Sequence, residues 1–284
     1  MKNIALIPNM SKSMAGEVTH RLIETLSTLG FTLYSAAKYA ADFSDKVITY
    51  DEMPSDIDLV IVVGGDGSVL DASVDAIDAD VPLIGVNLGK VGYLSEVEPD
   101  NLDVFARLKD GSFAVEERML LSTALKLVGG TEYVTRLAVN DVVISHDSYL
   151  GIADFKIENS RGESVKYRAD GIVLATPSGS TAYSLSAGGP IVSHDLDSIL
   201  VTPVCPHSFF NRSILFNSAE RITVKNTGSS ELNVSIDGRR MASLAMGEEC
   251  TVSVAEKRLK MLTFSKDNMF STLFKKMRIL EDVK

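Results

Sequence analysis

The stretch Val62-Val63-Gly64-Gly65-Asp66-Gly67-Ser68-Val69-Leu70 places three glycines within four residues, where an apolar run ends and a helical pattern begins. Glycine allows positive φ and lets the backbone approach a ligand closely. A helix start adds free N–H groups and the positive end of a dipole, together a ready anion site. The end of a parallel strand is also where open α/β sheets bind ligands. Asp66 within that cradle is no phosphate contact by charge. It suits a proton acceptor for an attacking hydroxyl, or a ligand to Mg²⁺. The plainer alternative is a turn whose aspartate caps the following helix.

A second dense segment runs from Tyr167-Arg168-Ala169-Asp170-Gly171 through an apolar strand to Thr176-Pro177-Ser178-Gly179-Ser180-Thr181-Ala182-Tyr183-Ser184, followed by Leu185-Ser186-Ala187-Gly188-Gly189-Pro190. Hydroxyls clustered beside glycine suit a neutral, hydrogen-bonding nucleotide pocket; alone, the segment also reads as a polar loop with a helix cap. Asn140-Asp141 precedes the apolar Val142-Val143-Ile144, where the pair could hydrogen-bond sugar hydroxyls or a base edge, or simply form a turn. Asn87 to Tyr93 is another glycine loop at a strand end, adjacent to the first if the strand order is simple. The chain has no G-x-x-x-x-G-K-[ST], no G-x-G-x-x-G after its first strand and no nucleophile elbow. His20, His146, His194 and His207 lack zinc-site spacing and read as surface or packing residues.

Elements to position these residues follow from the apolar pattern. Residues 1–111 alternate strands and helices. Apolar runs at 3–7, 31–34, 58–63 and 81–86 read as strands; Val18, Leu22, Ile23, Leu26 and Leu29 lie at helical spacing before Gly30. After the glycines, Leu70, Val74 and Ile77 fall on one helical face. This rhythm predicts an α/β domain with a parallel sheet. From 112 to 264 the apolar runs are short, often alternating, and divided by turns such as Asn226-Thr227-Gly228-Ser229 and Asp237-Gly238, which predicts a β-rich domain. Helical spacing returns between Asp267 and Leu280, so residues 265–284 are expected to pack back on the first domain.

Composition sets the outer bounds. The 284 residues, 45% hydrophobic and 23% charged, suffice for two packed domains. A net charge of -10 argues against a broad nucleic-acid surface. No apolar run reaches the roughly 20 residues of a membrane span, so no membrane partner is expected. No signal-peptide shape opens the chain, and Cys205 and Cys250 make no disulfide framework, which together point to the cytoplasm.

At the level of whole motifs the chain resembles the NAD kinases. The resemblance rests on Gly64-Gly65-Asp66-Gly67, Asn87 to Tyr93, Asn140-Asp141, and the run from Asp170-Gly171 through Thr181-Ala182-Tyr183 to Gly188-Gly189-Pro190. Thr202 to Ser208, Ser235-Ile236-Asp237-Gly238 and the Phe-containing tail complete it. The glycine–aspartate turn alone is shared with lipid kinases and phosphofructokinases; the segments in this order are specific. The resemblance implies a Rossmann-like N-terminal domain, a C-terminal β-sandwich-like domain, and transfer of a phosphoryl group from ATP, or from polyphosphate, to the 2′-hydroxyl of the adenosine ribose of NAD. It implies Asp66 as general base and Gly64, Gly65 and Gly67 shaping the phosphate site. Asn140 and Asp141 would hold the adenosine and ribose groups. Asp170, Thr181, Ala182, Tyr183 and Ser186 would line the nicotinamide and adenine pockets, partly from a neighbouring subunit of a homodimer or homotetramer. Arg168, Ser178 and Asp237, inside or beside the matching segments, join them as dinucleotide-binding positions. Mg²⁺ or another divalent cation would accompany ATP, with no metal held by protein ligands alone. Two positions stand apart: Phe209-Phe210-Asn211-Arg212-Ser213 replaces a small residue, Asn or Ala, Arg and Pro, and Arg239-Arg240 adds positive charge after Asp237-Gly238. The competing readings are a related lipid or sugar kinase and a non-catalytic dinucleotide sensor.

Overall fold

Every residue from Leu59 to Gly64 is buried, as a β-branched apolar run must be when a parallel sheet is covered on both faces. The computed structural model that shows this describes residues 1–43, 45–89, 92–126, 136–146, 151–265 and Leu273. The chain divides into two units, Met1–Glu117 with Leu259–Lys284, and Arg118–Arg258.

In the first unit the strands are β1 (Asn3–Pro8), β2 (Thr32–Ala36), β3 (Val47–Tyr50), β4 (Leu59–Gly64), β5 (Leu83–Asn87) and the short β6 (Ser95–Val97). They pair in parallel in the order β3-β2-β1-β4-β5, with β6 beside β5. The chain winds outward from β1 to β3 and then returns to β4 on the other side of β1. The strand order therefore reverses between β1 and β4, where doubly wound sheets open a crevice at their carboxyl ends. Helix α1 (Ala15–Thr28) lies between β1 and β2 and α2 (Asp66–Ala79) between β4 and β5. Val18, Leu22 and Leu26 of α1 cluster with Ile4, Leu6, Leu59, Ile61, Val63 and Phe105, while Val60 and Val62, which alternate with these along β4, are also fully buried. Gly30, at φ 79, ends the α1 turn in the left-handed region where glycine is favoured.

The buried face of α2 differs from the expected one. Val69, Ala72, Ser73, Ala76 and Ile77 face inward, and Val74 is 56% exposed. Small residues let this helix approach β4 and β5 closely; a Cβ on Gly85 would lie 2.9 Å from Val69 Cγ2. The expected helix over 267–280 lies outside the described residues apart from Leu273, which is buried.

The second unit holds β7 (Ala114–Lys126), most of whose length lies in it, β8 (Arg136–Ala138), β9 (Asp141–His146), β10 (Ala153–Glu158), β11 (Ser164–Ala169), β12 (Gly171–Ala175), β13 (Ser198–Val204), β14 (Ile214–Asn217), β15 (Ile222–Asn226), β16 (Leu232–Ile236), β17 (Arg239–Leu244) and the greater part of β18 (Glu249–Thr263). One antiparallel sheet runs β14-β13-β12-β9-β16-β17. The other runs β11-β10-β15-β18, with β7 against β8 and β18. Alternate residues of both sheets, among them Val142, Ile144, Ile172, Leu174, Phe155, Tyr167 and Val224, meet in a single core, which makes this unit a β-sandwich. The architecture is thus α/β followed by an antiparallel sandwich.

Candidate active site

At the mouth of the first unit's crevice the three glycines divide the work. A Cβ on Gly64 would fall 2.4 Å from Ser68 Oγ and 3.3 Å from Asn9 Cβ, so packing itself excludes a side chain there. Gly65 and Gly67 meet nothing within 4 Å of a Cβ position, which leaves their backbone open to an approaching group. Asn9, the residue after β1, ties the two strand ends together. Its N–H donates to Val63 O at 2.8 Å and its Nδ2 to Ser68 Oγ at 2.7 Å. Asn9 was not singled out from sequence; its signal is its position at the end of the strand flanking the reversal point.

Gly65, not Asp66, is the N-cap of α2, and no side chain caps this helix. The Asp66 carboxylate instead holds the neighbouring glycine loop. Tyr93 N donates to Oδ2 at 2.6 Å, while Leu94 N at 3.0 Å and Ser95 N at 3.2 Å donate to Oδ1, with Ser95 Oγ at 3.4 Å. Gly92 lies close by; a Cβ on it would be 3.1 Å from Asp66 Oδ1. The two glycine loops are adjacent as expected, because Gly64 pairs with Asn87 in the β4–β5 register and Leu88 N donates to Gly64 O at 2.8 Å. A carboxylate offers about four lone-pair sites. Among the described residues Oδ1 accepts from two amides and a hydroxyl of the loop, and Oδ2 from one amide. Burial first, and the Asp66 charge second, push the Tyr93 phenol above its ordinary range.

In the second unit the Asn140-Asp141 turn is fixed from two sides. Val139 N and Asn140 N each donate to Asp237 at 2.8 Å, on Oδ2 and Oδ1, and Asp141 N donates to Oδ1 at 3.1 Å. Asp237 N donates back to Asp141 O at 3.0 Å. On the other side Thr176 N donates to Asn140 O at 2.9 Å and Thr176 Oγ1 to Val139 O at 2.7 Å, while Thr176 Oγ1 accepts from Gly179 N. Gly179 is pressed so close that a Cβ would lie 2.0 Å from Asn140 O. With its N–H and C=O both engaged by the protein, Asn140 has its carboxamide to offer a ligand.

This packing sets the Ser178–Thr181 turn against Asn140 through Gly179, with Ala182 and Tyr183 next along the chain. Tyr183 opens a four-residue helix, α3 (Tyr183–Ser186), and its N–H meets the buried Asp141 carboxylate. Burial first, and the Asp237 charge second, push the Asp141 carboxyl up to about 7, against the Tyr183 N–H that favours the ionised form. Burial likewise raises the Asp237 carboxyl, opposed by its three backbone donors and by Arg239. Ser186, at the end of α3, is exposed. Thr176, which joins strand, turn and helix, was missed as an individual residue; a Thr-Pro pair at a strand end before a hydroxyl-rich turn is its signal.

Arg168 and Asp170 lie elsewhere. In the β9–β12 register Asp141 pairs with Ala175 and Ser145 with Gly171, so Asp170, just before β12, stands at its opposite end, roughly 16 Å away along the strand at the usual rise. There His146 N donates to Asp170 O at 3.2 Å, and His207 N to Arg168 O at 2.7 Å. Arg168 is exposed and 3.9 Å from Asp154, a contact worth little in water.

Comparison with known proteins agrees with both halves. Residues 4–108 match the family model for the ATP-NAD kinase N-terminal domain and residues 139–264 that for the C-terminal domain. A protein of Natranaerobius thermophilus named NAD kinase is 32% identical over 98% of this chain and 98% of its own length. Another NAD kinase, from Lachnoclostridium phytofermentans, is 33% identical over 96% and 98%. Among solved structures, yeast NADH kinase complexed with NADH superposes with a TM-score of 0.85 at 24% identity, over 98% of this chain and 87% of that one. An Archaeoglobus fulgidus NAD kinase in complex with ATP gives 0.71 at 23% identity, over 98% and 99%. The two structures share the fold, and the sequence matches extend over both units: the chain belongs to the NAD kinase family of enzymes.

Proposed function

We infer that the chain phosphorylates NAD, transferring the terminal phosphoryl group of ATP to the 2′-hydroxyl of the adenosine ribose to give NADP. The observation that carries this reading is Asp66. Its carboxylate is held rigidly by three successive amides, with a lone-pair site on Oδ2 to accept a proton and open glycine backbone on either side. A positioned base contributes about 10²–10⁴-fold, and phosphoryl transfer otherwise depends on alignment and charge stabilisation. In this reading Asp66 Oδ2 takes the proton of the ribose hydroxyl while the N–H groups at the start of α2 face phosphate oxygens.

Asn140 and Asp141 hold the adenosine and ribose, and Ser178, Thr181, Ala182, Tyr183 and Ser186 line the rest of the dinucleotide site. Arg168 and Asp170, at the far end of β12, serve a neighbouring copy's dinucleotide, which makes a homodimer or homotetramer the working form. Among the described residues no group of three or more His, Cys, Asp or Glu side chains could hold a metal ion. A divalent cation carried on the phosphates of ATP, with water in its other positions, would supply charge neutralisation there. No described helix is long and apolar enough to cross a membrane.

The test is a coupled assay of purified protein with NAD, ATP and Mg²⁺, product being read by an NADP-specific dehydrogenase, with NADH and polyphosphate as alternative substrates. NADP formation is the expected result. Turnover of lipids or sugars instead, or dinucleotide binding with no turnover, would overturn it.

A further inference from the structure

We propose that Asp237 is a positioning residue: it fixes the Asn140-Asp141 turn and touches no substrate itself. The inference rests on the reading above that this turn binds NAD. Four hydrogen bonds join Asp237 to one three-residue segment, three from the amides of Val139, Asn140 and Asp141 to its carboxylate and one from its own N–H to Asp141 O. The position is built for this. Asp237 at φ 47 and Gly238 at φ 77 form the two-residue turn of the β16–β17 hairpin, a conformation needing two left-handed residues in succession. Such a turn swings the Asp237 side chain back over the start of β9, which is the neighbour of β16 in the sheet.

A carboxylate cradled by successive amides is an anion bound in a backbone nest. Here the anion comes from the protein, so the nest's geometry is set before any ligand arrives, and the Asn140 carboxamide and Asp141 carboxylate leave it on a rigid base. The charged groups facing the pair are Arg239 on the Asp237 side and the Asp237 carboxylate on the Asp141 side; Tyr183 adds a backbone N–H to Asp141. Asp237 consequently has a second effect: its charge helps keep the proton on Asp141 at pH values where an ordinary aspartate has lost it.

Asp237→Asn separates this role from that of a contact residue. It preserves an acceptor for the amides on Oδ1 and removes the charge. The expected result is a rise of about tenfold in KM for NAD, with kcat changed less than about threefold, as loss of ground-state binding requires. The Asp141 carboxyl, freed of the Asp237 charge, loses its proton at lower pH, read by NMR titration of its side-chain carboxyl carbon. With Asn140→Ala already in place, Asp237→Asn adds less than about threefold, because both act through one turn. Equal falls in kcat and kcat/KM, an unmoved Asp141 titration, or additive effects would overturn the proposal. If Asp237→Asn does not fold, wild-type protein decides: hydrogen exchange at the Val139, Asn140 and Asp141 amides stays protected on saturation with NAD. Protection lost on binding would show the carboxylate turning to the ligand. Failure of wild-type protein to bind NAD would instead sink the underlying reading.

Discussion

Asp66 and Asp237 solve the same local problem in two different settings. Each accepts three consecutive backbone N–H groups, Asp66 from Tyr93–Ser95 and Asp237 from Val139–Asp141. What differs is the company. Asp66 stands beside Gly65 and Gly67, where a Cβ would meet nothing within 4 Å, and among the described residues no aspartate or glutamate is hydrogen-bonded to it. Asp237 faces the buried carboxylate of Asp141 and binds the same segment through its main chain as well. In the proposed reading one nest offers an oxygen to an incoming hydroxyl and the other fixes a turn. On this account similar amide nests serve different functions, and the packing around each decides which.

Glycine substitutions give the largest contrast. Gly179→Ala forces a methyl group to 2.0 Å from Asn140 O, a backbone atom that cannot step aside. It should cost about 3 kcal/mol or more of stability, seen in thermal melts. Gly65→Ala meets open space, so its stability should stay within about 0.5 kcal/mol of wild type while activity falls, the methyl occupying the ligand's approach. A stable Gly179→Ala protein, or an unstable Gly65→Ala one, would erase the distinction.

The next effect is electrostatic. Asp141 titrates near 7 in the fold and near 3.8 when unfolded, so between those values the folded chain binds more protons than the unfolded chain. The contribution of Asp141 to stability is therefore highest below pH 4 and declines as pH rises to about 7. Asp141→Asn, neutral throughout, should flatten that slope in melts taken across the window. The smallest effect belongs to Ser95→Ala. Its hydroxyl contact to Asp66 is 3.4 Å and three amides remain, so kcat should change by less than about threefold.

Much of this was legible in the sequence. The β-branched run before Gly64 announced a buried parallel strand, and the shift from helical to alternating spacing announced the sandwich. The glycine turn and Asn140-Asp141 were visible because glycine clusters and polar pairs at strand ends have few structural uses. The partners of Asp66 and Asp237 were not visible. They are backbone N–H groups 27–29 and 96–98 residues away, and an amide carries no residue-type signature. The buried face of α2 was misread for a related reason: the spacing of Leu70, Val74 and Ile77 ignores that Ala72, Ser73 and Ala76 permit closer contact with the sheet. The separation of Asp170 from Asp141 follows from strand register alone, which their nearness to shared motifs concealed.

The central claim is that Asp66 acts on the reacting hydroxyl and is more than a clamp for the loop it holds. Asp66→Asn, assayed for NADP formation beside calorimetric titration with NAD, tests this directly. Loss of about 10²–10⁴-fold in kcat with NAD affinity and melting temperature unchanged is the predicted result. A variant that keeps its kcat, or that loses turnover only in step with NAD affinity or stability, would show Asp66 to be a second Asp237.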